Sequence, residues 1–105
     1  MPRVEILPIY RDTYCLLSDI FARTTKFPKE YKFSLGEPLN HNLMKACSLI
    51  SRAGRVENKA EILEEYLSTL DEVVLCLRLG ADFQLLNKRQ QVYFSQQIEN
   101  DSKKI

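Results

Sequence analysis

The chain has 105 residues, 45% of them apolar, and a formal net charge of +1 at neutral pH. This length and apolar content suffice for one domain with one hydrophobic core over residues 1–105. Three glycines and four prolines are too few for the many turns of a β-sandwich or barrel. The longest unbroken apolar stretch, Val73 to Leu77, is too short to span a membrane, so we expect an all-α protein without a membrane anchor.

A three-four spacing of apolar and threonine side chains predicts a first helix over about residues 8–25. Pro28 should separate it from the next helix, because the residue before a proline is disfavoured in the α region. The second helix is predicted over residues 28–53, with a kink or break caused by Gly36 and Pro38. The inner positions of these two helices are predicted to be Tyr10, Thr13, Leu17, Ile20, Thr24, Leu35, Leu39, Leu43, Ala46, Ile50 and Ala53.

The third helix is predicted by an uninterrupted three-four repeat, formed by Ala60, Leu63, Leu67, Leu70, Val74, Leu77 and Ala81. Asn58 followed by Glu61 has the form of a capping box at its start. Asn87 with Gln90 predicts the same arrangement at the start of a fourth helix, and the polar tail, residues 99–105, is expected to fray. Four helices with short connections predict an antiparallel up-down-up-down four-helix bundle.

No motif indicates catalysis. The single histidine, His41, has no Cys or Ser nucleophile near it in the sequence, so we interpret it as an exposed polar residue. Phosphate-binding, dinucleotide-binding and metalloprotease motifs do not occur. Cys15, Cys47 and Cys76 lie too far apart for metal-ligand spacing and are interpreted as buried thiols of a cytoplasmic protein. We therefore predict no catalytic residue, cofactor or metal site, and a hydrolase is the least favoured function.

Positive charge is concentrated in the first half of the chain, where nine Lys/Arg face five Asp/Glu, whereas the second half has six against nine. Lysines alternate with aromatic residues at the corner between the first two helices: Lys26, Phe27, Lys29, Tyr31, Lys32 and Phe33. Such a pattern suits phosphate contact and base stacking. Alternatively, the aromatic residues cover the end of the core while the lysines stay solvated, and spacing alone favours this second interpretation.

Several stretches are more distinctive than general helix patterning: residues 27–37 (FPKEYKFSLGE), Arg52-Ala53, Asn58-Lys59-Ala60, Leu77-Arg78-Leu79 and Asp82. Together they resemble the Avd-like four-helix-bundle family, the accessory variability determinants of diversity-generating retroelements, which are related to bundle proteins encoded in ribosomal RNA intervening sequences. The resemblance covers about residues 9–93. It implies a non-catalytic accessory protein that binds the retroelement's reverse transcriptase and its template RNA or DNA and supports mutagenic retrohoming.

The resemblance also implies a pentamer, and nucleic-acid contacts at seven basic positions: Arg23, Lys26, Lys29, Lys32, Arg52, Arg55 and Arg78. In an antiparallel bundle Arg52 and Arg55 would lie at the opposite end from Lys29. A homo-oligomer is expected independently, because several apolar residues fall outside the predicted inner faces, namely Ile9, Leu16, Leu49, Ile62 and Leu75. An alternative hypothesis, favoured by the near-neutral net charge, is a bundle of the intervening-sequence type that serves protein-protein assembly alone.

Overall fold

The computed structural model describes residues 5–105, and every regular element in that range is helical. A short helix and a π-helical segment lie between the first two of four long helices. The elements are α1 (Ile6–Thr24), α2 (Lys29–Tyr31), the π segment (Lys32–Gly36), α3 (Glu37–Ala53), α4 (Ala60–Asp82) and α5 (Lys88–Lys103). The prediction of an all-α fold with four main helices is therefore confirmed for the described residues.

The distortion predicted in the second helix takes the form of the π segment. Pro38 lies in the first turn of α3 and has no N–H to donate to the carbonyl of Ser34. The helix does not break there but widens into five residues of π-helix before it returns to α geometry. This local change alters the direction of the side chains on the segment, among them Phe33.

One hydrophobic cluster joins all four long helices. Every inner position predicted for α3 and the π segment is buried: Leu35, Leu39, Leu43, Ala46, Ile50 and Ala53. In α4, Leu63, Leu70 and Leu77 are buried as predicted. The other buried positions of α4 fall one residue before the predicted ones, at Tyr66, Thr69, Val73 and Gly80, so the inner face of this helix is rotated relative to the simple repeat.

The surplus of apolar residues that suggested an oligomer is smaller than predicted. Ile9, Leu16 and Leu49 are buried in the core of their own chain and Ile62 is partly buried against it, whereas Leu75 is 59% exposed. The reason is that α1 packs against both α3 and α5, so it buries a wider stripe than a contact with one helix would need. This correction removes most of the original argument for an oligomer and leaves Leu75.

Two predicted helix starts have different outcomes. The capping box at Asn87 is confirmed, because Gln90 N donates to Asn87 Oδ1 (2.7 Å) and Asn87 N donates to Gln90 Oε1 (3.0 Å). The capping box at Asn58 is wrong, since its Oδ1 accepts only a long bond from Ala60 N (3.4 Å). Instead, the ammonium of Lys59 donates to two carbonyls of the preceding turn, which holds the α3–α4 connection together.

The predicted fraying of residues 99–105 is wrong. Helix α5 continues to Lys103, and Asp101 is only 3% exposed. The Lys104 ammonium lies 2.6 Å from Asp12 Oδ2 on α1, and 3.9 Å from Asp101 Oδ1. Contacts with α1 therefore hold a segment whose polar composition alone would not keep it ordered.

The described part of the chain measures 44 × 23 × 18 Å and has two distinct ends. At one end, Gly54 after α3 lies against Ile6 at the start of α1, and Lys104 pairs with Asp12. Toward the other end, Asn40 Nδ2 donates to Thr24 Oγ1 at the end of α1 (2.9 Å). No helix within residues 5–105 is long and apolar enough to cross a membrane.

Candidate nucleic-acid interface

Four segments of the chain meet at the end where α1 stops. The rings of Tyr31 and Phe83 lie 5.9 Å apart, which places α2 beside the end of α4. Gly80 of α4 lies against Leu35 of the π segment. A cleft of about 400 Å³ is lined by Arg23 of α1 together with residues 89 and 90 of α5. The end of α1, α2 with the π segment, the end of α4 and the start of α5 are thus neighbours.

These segments bring together seven exposed basic side chains, which we call the basic end: Arg23, Lys26, Lys29, Lys32, Arg78, Lys88 and Arg89. The carboxylates on the same segments are three, Asp19, Glu30 and Asp82, and a fourth, Glu37, directly follows the π segment as the first residue of α3. The basic end therefore has a local excess of positive charge, although the chain as a whole carries only +1. Five of the seven residues were predicted from the sequence.

Within residues 5–105, no cation of the basic end forms an ion pair with a carboxylate. Four ion pairs are found in the described range, and their cations are Lys45, Lys103 and Lys104. None of these belongs to the basic end. Positive side chains that are solvated and lack an ion-pair partner can accept phosphate groups without first breaking an internal contact.

Lys88 and Arg89 are the two members that the sequence prediction missed. They occupy the first turn of α5, which contains no acidic residue. Positive charge at a helix N-terminus opposes the helix dipole by about 0.3–1 kcal/mol per residue. Their position at a helix start could have been inferred from the sequence, because Asn87 was predicted to cap the fourth helix. In an antiparallel bundle that start lies on the side of the molecule where α1 ends.

Arg52 and Arg55 are not part of the basic end. Both are exposed, but they lie beside Gly54, which packs against Ile6 at the start of α1. Helix α1 has 19 residues, so it separates its two ends by about 28 Å. The seven predicted contact residues are therefore divided between the two ends of the molecule, with five at one end and two at the other.

The three aromatic residues between the predicted lysines differ in burial. Phe27 is buried, and Tyr31 is partly buried against Phe83. For these two, the interpretation that aromatic side chains cover the end of the core is confirmed. Phe33 is 64% exposed and does not fit that interpretation, because a phenyl ring that only filled the core would not remain in solvent.

Phe33 borders an open groove of about 700 Å³ between α1 and α3. Its apolar walls are formed by Phe21, Phe33, Pro38 and Met44, and its polar groups come from Glu37, Asn40 and His41. His41 is exposed, as predicted. The groove borders the basic end at the π segment, which carries both Lys32 and Phe33.

The buried titratable groups lie away from the basic end. Burial, and next the negative charge of Asp12, raise the pKa of Asp101 from 3.8 to about 7. Burial raises the pKa of Cys47 to about 11, which keeps this thiol protonated at neutral pH. Cys47 fits the predicted buried thiol and Cys76 is partly buried, but Cys15 is exposed.

Within residues 5–105, no three His, Cys, Asp or Glu side chains converge as a metal site would require. In comparisons with models of protein families, with curated proteins and with solved structures, the chain matches none.

Proposed function

We propose that this protein is a non-catalytic accessory factor that binds RNA or DNA through its basic end. The observation that carries the proposal is the gathering of seven exposed, unpaired cations from four segments at one end of a nearly neutral chain. Neutralising phosphates and releasing their counterions drives the binding of basic surfaces to nucleic acid. Two of the cations are held against a helix dipole, a local cost that a bound phosphate would offset.

The resemblance to the Avd-like family indicates the biological setting of this nucleic-acid binding. In that setting the protein is a cytoplasmic partner of the reverse transcriptase of a diversity-generating retroelement, and it helps to hold the template while a variable repeat is copied. The proposed fold is an antiparallel up-down-up-down four-helix bundle in one domain. It is supported by two contacts between α1 and α3, because Gly54 after the end of α3 lies against Ile6 at the start of α1 and Asn40 near the start of α3 contacts Thr24 at the end of α1.

Direct binding of nucleic acid tests the proposal. Fluorescence anisotropy of labelled structured RNA and duplex DNA should show binding at low salt that weakens steeply as salt is raised. With five to seven phosphate contacts, the logarithm of the association constant should fall with a slope of about −4 to −6 against the logarithm of salt concentration. Absence of binding to both nucleic acids at low salt would contradict the proposal.

A second candidate function is protein-protein assembly, and one surface favours it. Leu75, Leu79 and Phe83 are exposed and follow one another at intervals of four along α4, which places them on one side of the helix as an apolar stripe. The stripe suits self-association, and the resemblance implies a pentamer. Light scattering at micromolar concentration should show an oligomer that Leu75→Glu dissociates, and a monomeric wild-type protein would exclude homo-oligomeric assembly.

A further inference from the structure

Large apolar side chains are exposed to solvent in the groove between α1 and α3. Phe21, Phe33 and Met44 are each at least 50% exposed and lie together along its walls. Single exposed apolar residues are ordinary, but a contiguous group of them, bordered by polar residues, marks a binding surface. The two phenyl rings also provide flat faces on which a planar ligand can stack.

The position of Phe33 on the π segment is a second observation that points to the same place. Turns of π-helix are rare and are found frequently at functional sites, because they are less favourable than continuous α-helix. Here the π segment spans Lys32–Gly36 and carries Phe33 at the edge of the groove. Lys29 lies four residues before Phe33 on the same helical stretch, so a lysine and an aromatic ring share one side of the chain.

The polar groups of the groove include more hydrogen-bond acceptors than donors. Glu37 contributes a carboxylate. Asn40 uses its Nδ2 group to donate to Thr24, and its Oδ1 is buried, so the exposed carboxylate of Glu37 is the acceptor that a ligand in the groove can reach. A ligand suited to this site therefore combines a planar apolar body with N–H donors, and is attached to a negatively charged backbone that reaches the lysines.

We propose that the groove holds one unstacked base of single-stranded RNA or DNA, with the adjoining phosphates on Lys29 and Lys32. Bases that carry an exocyclic amino group are preferred, because that group donates to the carboxylate of Glu37. This inference rests on the proposed function, and it adds a specific base site to the charge-driven binding of the basic end. Aromatic stacking and carboxylate contacts to amino groups are established modes of base recognition.

Cytosine and uracil form the sharpest comparison, since both are pyrimidines and cytosine has an amino group where uracil has a carbonyl. The ring N–H that uracil offers instead is flanked by two carbonyl oxygens, which repel the carboxylate of Glu37. Labelled oligo-C and oligo-U strands of equal length should be titrated with the wild-type protein at low salt. Oligo-C is expected to bind about fivefold to tenfold more tightly. Glu37→Gln should bring the ratio of the two affinities close to one, whatever its effect on overall binding through the lost negative charge.

Phe33→Leu tests stacking, because it keeps an apolar side chain and removes the aromatic face. It should weaken oligo-C binding by at least about fivefold. The matched control is Tyr14→Leu, which removes another exposed aromatic ring from the middle of α1, outside both the groove and the basic end. It should change the affinity by less than about twofold. Thermal unfolding of each variant verifies that the fold is retained.

The outcomes separate the base site from the proposed function. Equal binding of oligo-C and oligo-U, or equal effects of Phe33→Leu and Tyr14→Leu, would overturn the base site while salt-dependent binding upheld the function of the basic end. No binding of any strand at low salt would overturn both, and an apolar segment of a protein partner would then become the better occupant of the groove.

Discussion

Replacing Tyr66 by alanine is expected to lower the free energy of unfolding by about 4 kcal/mol, the largest effect of any single truncation considered. Tyr66 is fully buried and is the largest of the side chains with no exposed surface. Its hydroxyl lies 2.8 Å from Thr13 Oγ1 on α1, so the residue connects α4 to α1 through the core. Truncation would leave a cavity and remove this connection.

Tyr66→Phe provides the control, because it retains the ring and removes only the hydroxyl. Thr13 Oγ1 still donates to the carbonyl of Ile9 (2.7 Å), so no buried donor is left without an acceptor, and the expected loss is about 1 kcal/mol. Urea unfolding followed by far-UV circular dichroism measures both variants. A cost below about 2 kcal/mol for Tyr66→Ala would show that the core does not depend on this residue.

The stability of the protein is expected to fall as pH rises from about 4 to about 7 through the ionisation of Asp101. The pKa of Asp101 is raised from 3.8 to about 7 in the folded state, so the folded protein binds this proton more tightly than the unfolded chain. The resulting stabilisation is fully present below pH 3.8 and is lost as pH rises through about 7. Above that pH the carboxylates of Asp12 and Asp101 share a single neighbouring cation, Lys104.

Asp101→Asn should remove most of this pH dependence, because asparagine is neutral throughout. Relative to wild type, the variant is expected to gain about 3 kcal/mol on going from pH 4 to pH 8. The matched control is Asp71→Asn, which neutralises an exposed carboxylate on α4. Urea unfolding at several pH values gives the comparison, and parallel pH profiles for wild type and Asp101→Asn would rule out Asp101 as the titrating group.

The main helices could be predicted because their periodicity is a local property of the chain. The helix boundary at Pro28 and the Asn87 capping box are equally local, and both occur in the structure. The errors concern features that depend on packing between helices. The last residues of the chain are held in place by the contact of Lys104 with Asp12, 92 positions earlier in the sequence. Ile9 and Leu16 are buried because α1 packs against both α3 and α5.

The errors in the predicted site also concern features that depend on packing between helices. The lysines between α1 and α3 were predicted because they are close in sequence, whereas Lys88 and Arg89 join them only through the packing of α5 against α1. Residue type alone assigned Arg52 and Arg55 to the same role, although they lie at the other end of the molecule. The exposure of Phe33 depends on a π segment, which a period of 3.6 residues cannot predict.

The most direct test of nucleic-acid binding at the basic end compares two triple variants that lose the same charge. Lys26/Lys29/Lys32→Ala alters the basic end, and Arg11/Arg52/Arg55→Ala removes three exposed cations from the half of the molecule where α1 starts. Anisotropy titrations of structured RNA over a range of salt concentrations measure the salt slope of each. The lysine variant is expected to lose about two units of slope and the arginine variant less than about half a unit. Equal losses would show that net charge, and not the basic end, governs binding, and a larger loss in the arginine variant would place the interface at the opposite end.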